Sequence, residues 1–429
     1  MARGNRDFAR MPNDTGRPLP SVPARQQLLK RHNLSLVLRQ IAASRRLSRA
    51  QLAARTGLTK ATVSTLVDAL IDAQLVVESD PERGLIGRPG SPLSLNPQGP
   101  AGLGVEINVD YVSCCVVDLT GAVRCRRTIV GDNRLLRPEV VLRRAVRAAS
   151  LIWRQAEVAG LTVFGLGVGV PGLVDFDGVL HRAPNLLEWQ GIPLAEVVSD
   201  MLGRPLQSVY CDNEANLAAL GERWFGRRDN LQDFVLVSGE IGVGAGIVIG
   251  GELFRGVRGL GGELGHVTVD PMGPACSCGG RGCLERVAGQ EALLEAAGLP
   301  AEAGTAVGGP VASVAELVRR ALTGEPTTLL ALEKVGTALG IALSAFLNVL
   351  DLPTVVLGGF YAELAPWLIG PVTGELHDRV VNHPWSPIEV IVSSLGAEAS
   401  VRGAAGITIR RIIDDPAASF PEVLALTRT

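Results

Sequence analysis

Four residues in one short stretch of the chain have the types and the spacing of metal ligands. The set is His266, Cys276, Cys278 and Cys283, in the pattern H-x9-C-x-C-x4-C. One imidazole and three thiolates fill all four coordination positions of a tetrahedral zinc ion, so no position is open for catalysis. The alternatives are simple burial of the cysteines or a disulfide, and a disulfide is disfavoured because we expect no export signal. The pattern predicts a structural zinc site.

Glycine-rich motifs flank this cluster, and further motifs lie upstream. They are Gly-Gly-Glu-Leu-Gly-His at 261–266, Cys-Leu-Glu at 283–285, Val-Gly-Val-Pro-Gly-Leu-Val-Asp at 168–175 and Asn-Glu-Ala-Asn at 213–216. Together they resemble the signature of the ROK family of repressors and sugar kinases, over about residues 103–411. The resemblance implies a two-lobed, actin-like sugar-kinase fold that forms homodimers or homotetramers.

The resemblance also implies a sugar pocket. The implied ligand-binding residues are Asn185, Asn213, Glu214, Glu263, His266 and Glu285. Carboxylates and amides bind vicinal hydroxyls in fixed directions, and Trp189 could offer a flat apolar face to the ring. His266 could bind zinc through one ring nitrogen and face the sugar with the other. The alternative for Glu263 and Glu285 is a capping or surface role.

The segments that bind phosphate in ROK kinases are altered in this sequence. The kinases open with an Asp-x-Gly-Gly-Thr hairpin, whereas this chain has Glu-Ile-Asn-Val-Asp at 106–110. Glu214 stands where the resemblance places the catalytic Asp, and Glu240 adds a carboxylate to the second glycine-rich loop. We therefore predict that the protein is not an enzyme. The alternative is an active sugar kinase with an added DNA-binding domain.

The charge of the chain is unevenly distributed. Residues 1–100 hold 15 Lys and Arg against 7 Asp and Glu, whereas the remainder holds 26 against 36. A basic N-terminal part on an acidic body is typical of a module that binds nucleic acid. The apolar stretches are too short or too glycine-broken to span a membrane. These features predict a cytoplasmic protein without a membrane segment.

The basic part has the pattern of a helix-turn-helix. Helices are predicted from Asn33, from Ser48 to Thr56 and after Thr59, with Gly57 as the turn. The third helix leaves small polar residues outside, which suits the major groove of DNA. The predicted DNA-binding residues of these helices are Ser48, Arg49, Thr59, Lys60, Ala61, Thr62, Ser64 and Thr65.

Two short predicted strands follow, and the loop between them would form a wing with Arg88 at its tip. Arginine between glycine and proline suits insertion into a narrow minor groove. The alternative for the whole segment is a small helical packing module with a flexible linker. This winged helix-turn-helix resembles the branch of ROK repressors that includes xylose-type regulators.

The whole chain is thus predicted to be an α/β protein with a winged helix-turn-helix before a two-lobed sugar-kinase-like domain. The predicted boundaries are a disordered basic tail at 1–32, the DNA-binding domain at 33–97, the ROK domain at 101–415 with its second lobe at about 226–395, and a tail at 416–429. The remaining cysteines, Cys114, Cys115, Cys125 and Cys211, are predicted to be core residues. The predicted function is a sugar-responsive repressor that binds a palindromic operator in double-stranded DNA.

Overall fold

The computed structural model describes residues 24–44, 46–79, 91–186, 188–204, 208–228, 231–300 and 309–425. A small, mostly helical N-terminal domain precedes two larger lobes, each of which contains a five-stranded sheet. This architecture confirms the predicted fold class.

The N-terminal domain forms the predicted three helices and two strands. They are α1 (Ala24–Ala42), α2 (Arg49–Thr56), α3 (Lys60–Asp72), β1 (Val76–Glu78) and β2 (Leu93–Leu95), with β1 and β2 antiparallel. The side chain of Ser48 caps α2 and that of Thr59 caps α3, as predicted. Gly57 ends α2 with a φ of 71°, in the left-handed region where glycine is favoured. These local signals fix the helix-turn-helix geometry.

Helix α1 begins at Ala24 and not at Asn33, so the predicted first cap was wrong and so was the predicted tail over residues 24–32. The reason is a long-range contact. Arg31 forms an ion pair with Asp415, and Lys30 donates a hydrogen bond to the carbonyl of Leu424. The C-terminal end of the chain therefore stabilises the first turns of α1.

The predicted C-terminal tail is likewise helical where the structure describes it. It contains α13 (Pro416–Ser419) and α14 (Glu422–Ala425). Ala417 and Val423 are buried in the same apolar core as the helix-turn-helix. The prediction of a tail was wrong for these residues because each helix is too short to show a periodic pattern alone.

The first lobe contains a sheet with the strand order β10-β6-β3-β4-β5. Its strands are β3 (Pro100–Ile107), β4 (Tyr111–Asp118), β5 (Val123–Val130), β6 (Thr162–Val170) and β10 (Val209–Asn213), and its helices include α4 (Pro138–Val158), α5 (Leu194–Leu202) and α6 (Glu214–Phe225). A small sheet of β7 (Leu173–Val174), β8 (Val179–Arg182) and β9 (Gln190–Pro193) adjoins it. Strands β3, β6 and β10 are parallel, so their carboxyl ends meet at one edge, where ligands bind in such sheets.

The second lobe contains a sheet with the order β13-β12-β11-β14-β15. Its strands are β11 (Phe234–Gly239), β12 (Val243–Ile249), β13 (Glu252–Phe254), β14 (Thr354–Gly359) and β15 (Glu389–Val392). Its helices are α7 (Glu285–Ala288), α8 (Gln290–Ala296), α9 (Gly309–Leu322), α10 (Pro326–Leu350) and α11 (Phe360–Arg379). The glycine-rich loop between β11 and β12 faces the first lobe.

Helix α10 is long and apolar enough, by length and composition alone, to span a membrane. However, 56% of its most apolar window is buried inside the protein. Leu332, Leu339 and Leu343 lie in the core of the second lobe with residues of α11. The apolar composition of α10 is therefore that of a core helix.

The last long helix, α12 (Ala399–Asp414), returns to the first lobe and lies against β3, β6 and α6. Its approach is so close that a Cβ atom on Gly403 would lie 1.8 Å from the carbonyl oxygen of Leu217, and one on Gly104 would lie 2.0 Å from that of Val401. At its far end Ile409, Ile412 and Ile413 enter the core of the N-terminal domain. One helix thus belongs to both domains.

We expect Ile412→Ala to lower the free energy of unfolding by about 2–5 kcal/mol, because it leaves a cavity in this shared core. Ile412 is fully buried, whereas Val349 on α10 is 82% exposed, so Val349→Ala is the matched control with an expected change below about 0.5 kcal/mol. Chemical denaturation followed by circular dichroism measures both. Equal midpoints for the two variants would contradict the shared core.

Candidate ligand cleft, metal cluster and DNA-facing surface

A cavity of about 330 Å³ lies between the two lobes, at the carboxyl ends of β3, β6 and β10. Its wall includes every residue that the sequence predicted to bind the ligand, namely Asn185, Asn213, Glu214, Glu263, His266 and Glu285. These residues come from distant segments of the chain, and the fold brings them together. Their binding of a sugar stays a prediction.

Asn213 has a structural task in addition to its place in the wall. Its Oδ1 accepts hydrogen bonds from the backbone amides of Ala215 at 2.8 Å and Asn216 at 3.3 Å, which caps α6. Its Nδ2 donates to the carbonyl of Gly172 at 3.0 Å. The carboxamide is thus held in one orientation and links α6 to the loop after β6.

The second glycine-rich loop makes room for side chains of the cavity wall. A Cβ atom on Gly242 would lie 2.1 Å from Oε2 of Glu285 and 3.1 Å from Nδ2 of Asn185. The same Glu285 oxygen accepts a hydrogen bond from the amide of Val243 at 3.4 Å. Glycine at 242 therefore lets two predicted ligand residues converge.

Four carboxyl groups lie along the cleft: those of Glu106 and Asp110 are buried, and those of Glu214 and Glu240 are half-buried. Loss of hydration on burial raises the pKa of Glu106 to about 7 and that of Asp110 to about 6. The same cause, with repulsion between the carboxylates, raises the pKa values of Glu214 and Glu240 well above their ordinary range. Carboxyl groups with an increased affinity for protons therefore lie together in this part of the cleft.

The hairpin between β3 and β4 is organised around one of these groups. The hydroxyl of Tyr111 donates to Oε1 of Glu106 at 2.8 Å, and Nδ2 of Asn108 donates to the Tyr111 oxygen at 3.1 Å. Nδ2 of Asn133 in turn donates to the carbonyl of Asn108 at 2.7 Å. Side-chain hydrogen bonds therefore hold this hairpin in one conformation.

Asp212 lies near the cleft but is fully engaged. It is 0% exposed and forms an ion pair with Arg255 at 3.2 Å. It also accepts hydrogen bonds from the hydroxyl of Tyr210 at 2.7 Å and from Nδ2 of Asn216 at 3.0 Å. The partner Arg255 was not singled out in the sequence, because a lone arginine 43 positions away carries no local signal. This network orients the start of α6.

The predicted metal ligands His266, Cys276, Cys278 and Cys283 come together, with their ligand atoms all within 4.8 Å of one another. The sulfur atoms of Cys278 and Cys283 are 3.7 Å apart, the separation of about 3.8 Å expected for two thiolates on one tetrahedral zinc ion. Nδ1 of His266 faces the sulfur of Cys276 at 3.8 Å, and Nε2 lies 3.8 Å from Oε2 of Glu263. The donor set therefore fits a closed metal site that adjoins the cavity.

Trp189 does not lie in the wall of this cavity, so its suggested role as a sugar platform was wrong. Its side chain is 1% exposed and packs in the core of the first lobe. The apolar ring is sequestered with Leu180, Leu186 and Leu194, because burial of so large a side chain is strongly favourable.

Arg49, predicted to bind DNA, is held within its own domain. Its guanidinium group forms ion pairs with Asp68 at 2.7 Å and Glu78 at 2.9 Å. It also donates to the carbonyl of Ser64 at 3.3 Å. These contacts tie α2 to α3 and β1, which is a positioning role.

The other predicted DNA-facing residues surround the N-terminal turn of α3. Lys60, Ala61 and Thr65 are exposed. Hydroxyl groups of Thr59 and Thr62 are 2.8 Å apart, and Thr59 caps the helix as Ser48 caps α2. Arg88 at the predicted wing lies outside the described residues. Binding of DNA by these residues stays a prediction.

Comparison with known proteins identifies the family. The model of the ROK family matches residues 102–411, and a MarR family model matches residues 35–84. The chain belongs to the ROK family. The xylose repressor of Bacillus subtilis is 32% identical over 394 residues, covering 91% of this chain and 98% of that protein. A glucokinase of Thermotoga maritima is 32% identical over 264 residues, covering 58% and 80%.

Solved structures agree with this ROK fold. The crystal structure of a ROK family transcriptional regulator, a homologue of the E. coli MLC protein, has a TM-score of 0.74 and covers 92% of this chain and 99% of its own. Its sequence identity is 23%, so the likeness concerns the fold. A ROK glucokinase of Streptomyces griseus in complex with glucose and AMPPNP has a TM-score of 0.61 at 27% identity, covering 72% and 98%. The regulator matches the N-terminal domain as well as the two lobes.

We expect Glu106→Gln to change how stability depends on pH. Burial raises the Glu106 pKa from 4.5 to about 7, so the native protein loses stability as the pH rises between those values. The variant keeps an acceptor for Tyr111 and lacks this loss, so above pH 7 it should be more stable by about 3 kcal/mol. Urea unfolding from pH 5 to 8.5 measures the difference, with the exposed Glu139→Gln as control. Parallel curves for native protein and Glu106→Gln would refute the effect.

Proposed function

We propose that the protein is a sugar-responsive, DNA-binding transcriptional regulator that represses genes of carbohydrate uptake or catabolism in the cytoplasm. The observation that carries the proposal is the shared core of α12, which joins a helix-turn-helix to a lobe of the ligand cleft. The match to xylose repressors over nearly the whole chain supports the same function.

The cleft does not transfer phosphate in this proposal. Glu106 near the end of β3, Asp110 in the hairpin after it and Glu240 in the second loop place carboxyl groups where backbone amides would otherwise hold the phosphates of a nucleotide. Asp212, one of the carboxylates near the cavity, is paired with Arg255. A general base must be free to reach the sugar hydroxyl, and Asp212 is not free.

A sugar is the ligand that the 330 Å³ cavity suits best. Its wall offers the carboxylates Glu263 and Glu285, the amide of Asn185 and the Nε2 face of His266. Such groups pair with vicinal hydroxyls, which donate and accept. The residues come from both lobes, so closure around a sugar would change the angle between the lobes.

The proposed signal runs along two helices. Asn213 caps α6 at the cavity, α6 packs tightly on α12, and α12 ends in the core of the helix-turn-helix. A sugar that favours one arrangement of the lobes shifts the population of one arrangement of the DNA-binding domain. In a homodimer or homotetramer this changes the spacing of two winged helices on a palindromic operator.

In this proposal the N-terminal turn of α3 enters the major groove. Lys60, Ala61 and Thr65 face the base edges or the backbone, with Thr62 and Ser64 beside them. Ser48 and Thr59 hold the helix starts, and Arg49 fixes the angle between α2 and α3. Arg88 reaches the minor groove from the wing.

The decisive experiment selects genomic fragments bound by the purified protein and then tests their release by sugars, beginning with D-xylose and D-glucose. We expect Lys60→Ala to weaken binding and to reduce the dependence of log affinity on log salt by about one unit. The exposed Lys334 on α10 supplies the control Lys334→Ala, which should bind as the native protein does.

The outcomes separate the two functions. A fragment released by one sugar supports the repressor. Binding without sequence preference, together with ATP consumption that depends on a sugar, would instead establish the kinase and overturn this proposal.

We further propose that the metal is zinc and that its role is structural. The Arg182 guanidinium, in the cavity wall, donates to the carbonyl of Ser277 inside the metal loop at 2.8 Å. The ion would fix this loop and the orientation of His266 at once. Metal-bound histidine whose second nitrogen meets a carboxylate, as with Glu263, is a common arrangement.

We expect Cys278→Ser to lose the zinc and, with it, the response of DNA binding to sugar, because three ligands hold the ion less tightly than four. Metal content by mass spectrometry and sugar-induced release of the operator measure the two effects. Cys125→Ser, outside the cluster, is the control. A Cys278→Ser protein that retained both its metal and its response would remove the structural-zinc proposal.

A further inference from the structure

A second cavity, of about 610 Å³, lies next to the sugar cavity. The two cavities share Glu240 and Ile241 in their walls, so they meet at the turn between β11 and β12. Part of the second wall is apolar, including Val314 and Phe360 of the second lobe and Val401 of α12. The function proposed above assigns this space no occupant.

Two buried polar groups in this wall have no hydrogen-bond partner in the described part of the chain. Gln290 is 3% exposed, and its Nε2 donates to nothing there. Asp110 is 8% exposed, and its Oδ2 accepts from nothing there. Buried polar groups are nearly always paired in native proteins, so an unpaired donor and an unpaired acceptor on two residues of one cavity wall point to a ligand that supplies both.

The chemistry of the wall selects among ligands. The wall also contains Arg126, Arg127 and Arg402, of which Arg126 pairs with Glu398 and Arg402 donates to the carbonyl of Gly121. A phosphate offers only acceptors, and beside Gln290 it would meet the carboxyl groups of Asp110 and Glu240. A hydroxyl group donates and accepts, so a polyhydroxylated ring can satisfy Gln290 and Asp110 together. The apolar face of a pyranose ring also suits a wall with aliphatic and aromatic side chains.

We propose that the effector is an oligosaccharide of at least two units, with one ring in the sugar cavity and the next ring in this second cavity, bonded to Gln290 and Asp110. The proposal rests on the sugar-responsive function above and specifies its ligand. The link between the rings passes Glu240 and Ile241. The space that a nucleotide would need for phosphoryl transfer is thereby an extension of the sugar site.

The test is calorimetric titration of the full chain with D-xylose and xylobiose, and with D-glucose and cellobiose. We expect a disaccharide to bind at least about tenfold tighter than its monosaccharide. Gln290→Ala should abolish that advantage and leave monosaccharide affinity unchanged. Because Nε2 has no partner in the described protein, this variant breaks no hydrogen bond of that atom, and a lower melting temperature would report lost packing alone. The exposed Gln190→Ala is the matched control.

A second variant blocks the cavity without touching Gln290. Ser113 lies in the wall on β4, and Ser113→Phe should exclude the second ring and spare the monosaccharide. Native protein that binds each monosaccharide as tightly as its disaccharide would overturn the second subsite and leave the repressor function standing. Adenosine that competes for the Gln290 site would overturn it in favour of a nucleoside. Loss of all sugar binding, with DNA unaffected by any sugar, would end both proposals.

Discussion

The close packing of α12 on the first lobe is the constraint on which the rest of the structure depends. The helix lies so near β3 and α6 that side chains at Gly104 and Gly403 would collide with backbone carbonyls. Such backbone-to-backbone contact leaves no deformable layer, so a shift of α6 has to be transmitted as a movement of α12. The far end of α12 supplies three isoleucines to the core of the DNA-binding domain. The first lobe and the N-terminal domain are therefore expected to move together.

The cleft lies between the two lobes of the ROK domain and combines closely packed glycines with several carboxyl groups. Its glycines still bring Asn185 and Glu285 together at Gly242. Carboxyl groups now stand at the hairpin and at Glu240, where loss of hydration keeps their affinity for protons high. The likeness to both repressors and glucokinases shows that one scaffold occurs in proteins of both kinds.

Local signals in the sequence predicted the local structure well. The caps Ser48 and Thr59, the turn at Gly57 and the His-Cys cluster follow from residue type and spacing, and the structure contains them. Long-range partners could not be predicted in this way. The start of α1 depends on contacts with the C-terminal residues, Asp212 is paired with Arg255, and Arg49 is held by Asp68 and Glu78. Each partner is distant in sequence, so no periodic pattern records it.

The position of α13 and α14 has a consequence for how such regulators can be recombined. The two helices lie at the end of the chain, yet Ala417 and Val423 pack with the N-terminal helices. The DNA-binding head is thus completed by residues more than 300 positions away from it. A chimera cut only after β2 would leave six of the 21 buried residues of that core behind and expose apolar surface on both pieces. The N-terminal domain can be exchanged between relatives only together with the C-terminal helices. Substitutions in these two parts of the core are therefore expected to be coupled in evolution.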